Sequence, residues 1–219
     1  MKQLKFLSLV LGCMTVLSLS SCLKDDDSNN NGLSASDINQ CLNIVRGDYT
    51  SHMLYLTDLN RQTADTVDVN WSITSNDTTL TVNNCPTVAF THYLSNKDLR
   101  DAVAEQWPRC QLKCKLAFTM LDPYVQFLVG PQKMVIPVRY QDAEHKLSVL
   151  YWYNDYSFGV MDTSTNVMTV RMVIGGAFLD NDDKTSLLPD NYSNPTGTYT
   201  PWLPIIITTS LTLPSSTSV

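Results

Sequence analysis

Cys110-Gln111-Leu112-Lys113-Cys114-Lys115-Leu116-Ala117-Phe118-Thr119-Met120 alternates between two kinds of residue along its whole length. Even positions are apolar or cysteine; odd positions are polar or small. Side chains along a strand point to opposite faces with a period of two, so this stretch reads as a strand with one buried face. Four residues along a strand span about 13 Å, whereas bridged Cα atoms lie within about 7 Å. Cys110 and Cys114 therefore cannot pair with each other, and if both are oxidised their partners are Cys41 and Cys85. An even number of cysteines in an exported body leaves disulfides open. Four buried free thiols acting as small hydrophobes are the other reading.

The same alternation recurs on both sides. Upstream, Val67, Val69, Trp71 and Ile73 alternate with Asp68, Asn70, Ser72 and Thr74. Ser75-Asn76-Asp77 turns the chain, and Leu80 and Val82 return it, which makes a hairpin. Residues 49–56 read as a strand before it. Downstream, strands are predicted over 124–129, 134–140, 146–153, 156–161 and 167–174. The turns between them are Asp122-Pro123, Gly130-Pro131, residues 141–145, Asn154-Asp155 and residues 162–166. Asn154-Asp155 makes a tight hairpin of the strands on either side of it. Pro137 puts its strand at an edge or a bulge, and Gly175-Gly176 allows a bend or bulge. Residues 180–197 read as a polar loop. Residues 202–213, with Ile205-Ile206-Ile207, form a last strand that must be zipped into a sheet, because left unpaired it invites aggregation.

Two short helices are predicted. Ser34 or Ser36 caps the first, whose stripe is Ile38, Cys41, Leu42 and Val45, and Gly47 ends it. Ser95, with Asp98 three residues on, caps the second, which carries Leu99, Ala102 and Val103 and stops at Trp107-Pro108. Residues 88–94 fit either a strand or an extended loop. Some ten strands with turns every 8–12 residues or so describe a mostly-β domain, either an antiparallel barrel or a two-sheet sandwich. The opening helix, the Gly47-Asp48-Tyr49 lead-in and the later meander give it a lipocalin-like layout. The chain also resembles a family of uncharacterised Bacteroidetes lipoproteins that carry a domain of unknown function. That resemblance implies no catalytic residue.

At the other end, Lys2 and Lys5 precede an apolar run from Phe6 to Leu19. A positive start, a short apolar run and small residues before a cut site make a secretory leader. The run is too short to span a bilayer, which takes roughly 20 apolar residues. Leu19-Ser20-Ser21-Cys22 resembles the lipobox of bacterial lipoproteins, which implies cleavage before Cys22 and acylation of that cysteine. Two or more acyl chains hold a protein stably on a bilayer. Lys24-Asp25-Asp26-Asp27 looks like the surface-export signal of Bacteroidetes lipoproteins, and as a solvated charged linker it also extends the chain. The organisation is thus a leader over 1–21, an acylated cysteine and disordered tether over 22–33, and one β-rich domain over 34–219. The expected location is the outer membrane, lipid-anchored and exposed at the cell surface.

Formal net charge is −6, with no cluster of Lys or Arg, which argues against nucleic acid as a partner. His52, His92 and His145 stand singly, no G-x-S-x-G occurs, and Cys110-x-x-x-Cys114 is not a redox C-x-x-C. Asp180-Asn181-Asp182-Asp183 suggests a hard-cation loop, but Lys184 stands where a ligand belongs and no Glu closes it. No metal, cofactor or catalytic residue is expected.

The densest aromatic patch is Tyr151, Trp152, Tyr153, Tyr156 and Phe158, and rings with polar tips suit sugars and other amphipathic ligands. Cross-strand packing is the alternative role for these rings. Asp65-Thr66-Val67 and Asp77-Thr78-Thr79 look like the O-glycosylation sequon of Bacteroidetes, which would modify Thr66 and Thr78. The function expected is a non-catalytic binding domain for a glycan or a small apolar ligand. An assembly subunit acting through residues 205–207 is the alternative, and a hydrolase the third.

Overall fold

The computed structural model describes residues 32–58, 63–74, 78–153, 156–180, 182, 185–188 and 204–209. The leader, Cys22 and most of the tether lie outside these residues. The compact unit starts at Leu33. It opens with helix α1 (Ala35–Val45), followed by β1 (Gly47–Asp58), β2 (Thr63–Thr74) and β3 (Thr79–Pro86). Two helices come next, α2 (Val88–Thr91) and α3 (Lys97–Gln106). The remaining strands are β4 (Arg109–Met120), β5 (Val125–Pro131), β6 (Met134–Tyr140), β7 (Ala143–Trp152), β8 (Phe158–Asp162), β9 (Val167–Leu179) and β10 (Pro204–Thr209).

Every pairing is antiparallel, and eight strands close in the order β10, β1, β2, β3, β4, β5, β8, β9 and back to β10. The domain is a closed barrel, lipocalin-like in layout, rather than a two-sheet sandwich. On β4 the alternation has the expected effect: Leu112, Cys114 and Leu116 are buried while Gln111, Lys113 and Lys115 are exposed. The interior is filled. Met53, Trp71, Leu80, Leu112, Phe127 and Met172 are at most 1% exposed, presenting almost no surface even to a water molecule. Close packing of this kind makes the lumen a core rather than a cavity.

In α1, Ser34 and Asp37 form a capping box that satisfies donors at the helix start. Its Cys41, Leu42 and Val45 join the core, the Cys41 thiol 3.7 Å from the carbonyl of Met120 at the end of β4. Tyr49 stacks on Trp71 at 4.4 Å, and its hydroxyl bonds the Val45 carbonyl, tying α1 to the first strand. At the far end of the barrel, α2 and α3 join β3 to β4, and Gln106 of α3 bonds both the N–H and the carbonyl of Arg139 on β6. That covers part of an edge strand which would otherwise be free to pair with another chain.

Several expectations change. Among the described residues there are three helices, because residues 88–91 form one helical turn. The cap of α3 is Asn96, whose side chain accepts from Leu99 N; the Ser95 hydroxyl instead bonds the Leu187 carbonyl. Gly130-Pro131 continues β5 rather than turning it, and the turn after β6 shrinks to Gln141-Asp142, both at positive φ. The largest change concerns β7 and β8, which do not pair as a hairpin. They lie end to end along β9, β7 against residues 173–179 and β8 against residues 167–171. All four body cysteines are free thiols.

Candidate functional site

The place where β9 exchanges one partner for the other is a fork. Tyr153, Tyr156 and Ser157 stand outside the ladder there, opposite the single residue Met172, and residues 154–155 lie outside the described residues. Fully buried Ser157 seals the fork from within. Its hydroxyl donates to the Trp152 carbonyl at 2.6 Å and accepts from Val173 N at 3.2 Å, and its carbonyl accepts from Val129 N at 2.9 Å. One serine thus binds β7, β9 and β5, supplying polar partners where the ladder is interrupted.

The fork sorts the aromatic patch. Tyr151 points inward and is 4% exposed, so it belongs to the core and not to an outer surface. Trp152 is half-buried, with its indole laid against Gly175; a Cβ there would stand 3.2 Å from Nε1. Tyr153 is 54% exposed and lies over Gly130 of β5, where a Cβ would stand 4.0 Å from its ring. Half-buried Tyr156 tilts against Trp152 with centroids 6.2 Å apart. Half-buried Phe158 opens β8 beside the same excursion. Gly175 thus gives the Trp152 indole room to lie on the backbone, Trp152 and Tyr156 form a ring pair, and exposed Tyr153 follows Trp152 in the chain. The sequence marked Gly130 and Gly175 only as turn or bulge residues.

Thr66, on β2, is exposed, so its hydroxyl is open to modification. Thr78 is half-buried at φ 49°, with its carbonyl accepting from Leu116 N at 3.0 Å, and Asp77 of its sequon lies outside the described residues. Of the acidic run, Asp180 and Asp182 are among the described residues. Asp180 accepts from Lys146 N with one oxygen and from His145 Nδ1, at 2.5 Å, with the other. Asp182 accepts from Thr185 N. Two histidines that stand singly in sequence are paired in space, His52 with Asp68 at 2.7 Å and His145 with Asp180. Among the described residues no three His, Cys, Asp or Glu side chains are arranged to hold a metal.

A family described as a domain of unknown function, DUF4840, matches residues 44–179, from the end of α1 through β9 and including the whole fork. No curated protein and no solved structure matches the chain.

Proposed function

We propose that this chain, which belongs to the DUF4840 family of domains of unknown function, is a non-catalytic binding protein that takes glycans at the aromatic fork. The carrying observation is the Trp152–Tyr156 ring pair, its indole against Gly175, with 54% exposed Tyr153 beside it in the chain. Aromatic faces with polar edges match the alternating apolar and hydroxyl faces of a sugar ring. The filled lumen favours this reading over a small apolar ligand held inside. A role as an assembly subunit acting through residues 205–207 has less support, since β1 and β9 take both edges of that strand.

The lipobox-like Leu19-Ser20-Ser21-Cys22 supports anchoring of the protein to the outer membrane through acylated Cys22, with residues 22–33 as the tether. The acidic run after it supports display at the cell surface.

The test is a glycan array probed with the unlipidated chain, with Tyr153→Ala and Trp152→Ala alongside. A ring contact worth about 1.4 kcal/mol is tenfold in affinity, so binding to a subset of glycans should weaken about tenfold or more in each variant. Tyr153→Ala, at an exposed position, should keep the parent melting temperature. An array without binding, or binding indifferent to Tyr153, would overturn the reading. In the native host, Cys22→Ala should release the protein from the membrane fraction; a wild-type protein already in the soluble fraction would refute the anchor.

A further inference from the structure

Cys85 and Cys110 face each other across the β3–β4 pair. Directly paired residues of an antiparallel ladder project to the same face, which brings the two side chains together. Cys110 Sγ lies 3.4 Å from Met134 Sδ and 3.5 Å from the Cys85 carbonyl oxygen. Two thiols and a thioether thus meet at one point, drawn from β3, β4 and β6. Cys85 and Met134 are buried and Cys110 is half-buried, so the group has one way in. A second observation points to the same place. The Tyr151 hydroxyl is buried without a hydrogen-bond partner, and the groups that act on it electrostatically are Cys85, Cys114 and Cys110. Buried hydroxyls rarely go unpaired. A thiol is a weak acceptor, whereas a thiolate is a strong one.

We propose that Cys85, Cys110 and Met134 form a binding site for a soft monovalent cation of the Cu(I) or Ag(I) kind, with the Tyr151 hydroxyl donating to a thiolate sulfur. Soft thiolate and thioether ligands select such ions. The cation displaces the two thiol protons, which leave through half-exposed Cys110; two metal–sulfur bonds form, the thioether adds a third, and no electron is transferred. Cys114 lies four residues, about 13 Å, along β4 from Cys110 and packs 3.7 Å from Met172 Sδ instead. It is therefore no ligand, in keeping with the lack of a three-cysteine set among the described residues. Tyr151 is a positioning residue: its hydrogen bond orients and stabilises a ligand without touching the ion.

The test uses the full chain with Cys13→Ser and Cys22→Ser, so that only the body cysteines remain, reduced and under anaerobic conditions. Ag(I) serves as a redox-inert probe, and Cu(I) is delivered from a competing chelator. One ion should bind per chain, with release of two protons, a raised melting temperature and, for Cu(I), a sulfur-to-metal absorption band. Cys110→Ser should abolish the band. Met134→Leu, a volume-conserving swap that folds if any variant does, should weaken uptake, and Cys114→Ser should leave the stoichiometry at one. Tyr151→Phe should cost about tenfold in affinity and shift the band while leaving the stoichiometry unchanged. Absence of uptake, or uptake unaltered by both Cys110→Ser and Met134→Leu, overturns the proposal. So does a Cys85–Cys110 disulfide found by non-reducing mass mapping of protein from its host, since that pair would then be a crosslink.

Discussion

Gly159 sits opposite Phe127 in the β5–β8 register, and its missing side chain is what the ring occupies. A Cβ at Gly159 would stand 2.2 Å from the ring of fully buried Phe127, which has nowhere to retreat. Gly159→Ala should therefore lower stability by about 1–3 kcal/mol, read as a lower denaturation midpoint without a change in slope. A single residue of this kind is illegible in sequence. Gly159 lies in an otherwise ordinary strand pattern, and only the register reveals which ring it faces. The pairing of Cys85 with Cys110 is similar, because the bulge between Val82 and Cys85 shifts the alignment of the two strands. The start of α1 was legible as a cap at Ser34 or Ser36, because a cap signal spans only a few residues, and the structure takes Ser34.

At the level of elements, β6 and β10 show the two fates of a strand. β6 ends the sheet, and Pro137 tolerates its missing N–H there. Val135 is two residues away on the same edge and 50% exposed, so Val135→Pro should be close to neutral. Ile206 is paired on both sides, with Leu54 on β1 and Arg171 on β9. Ile206→Pro removes a donor from the strand that closes the barrel and should cost about 3 kcal/mol or more. Chemical denaturation of both variants checks the contrast; similar midpoints would contradict these strand roles. The sequence offered an edge or a bulge for Pro137, of which the structure takes the edge, and it zipped residues 205–207 into a sheet correctly. It misjudged β7 and β8, because two strands joined by Asn154-Asp155 look like a hairpin whether they pair with each other or share a third strand. The length of β9, which has room for both, is what decides.

Across the whole molecule, three surface carboxylates, Asp180 exposed and Asp37 and Asp162 partly so, take hydrogen bonds that the folded state supplies. Asp162 is brought from its ordinary value of 3.8 to about 2 by Ser164 and Thr165. Asp180 is lowered by the hydrogen bond from His145, and Asp37 by that from Ser34. A carboxylate whose folded pKa is depressed contributes stability above its unfolded pKa and loses it as pH falls through the folded value. Stability from these groups should be level near neutral pH and decline as pH drops from about 4 towards 2. Asp162→Asn combined with Asp180→Asn should flatten that decline, measured as denaturation midpoint against pH. An unchanged profile would show that other groups control acid unfolding.

By itself the sequence determined what depends on near neighbours along the chain. It set the alternation of faces along β2 and β4, the stretches that carry α1 and α3, that the body is mostly β, and that Cys110 and Cys114 cannot bridge. Period, capping and turn chemistry act over a few residues, so a linear reading captures them. Tertiary structure alone decided that the sheet closes as a barrel, that its lumen is filled, and that β7 and β8 lie end to end. It also put Tyr151 among thiols inside while Trp152, Tyr153 and Tyr156 stand outside. Those outcomes depend on register between strands far apart in sequence. A shift of one residue turns a side chain from one face to the other, and no local pattern records which register the closed barrel selects.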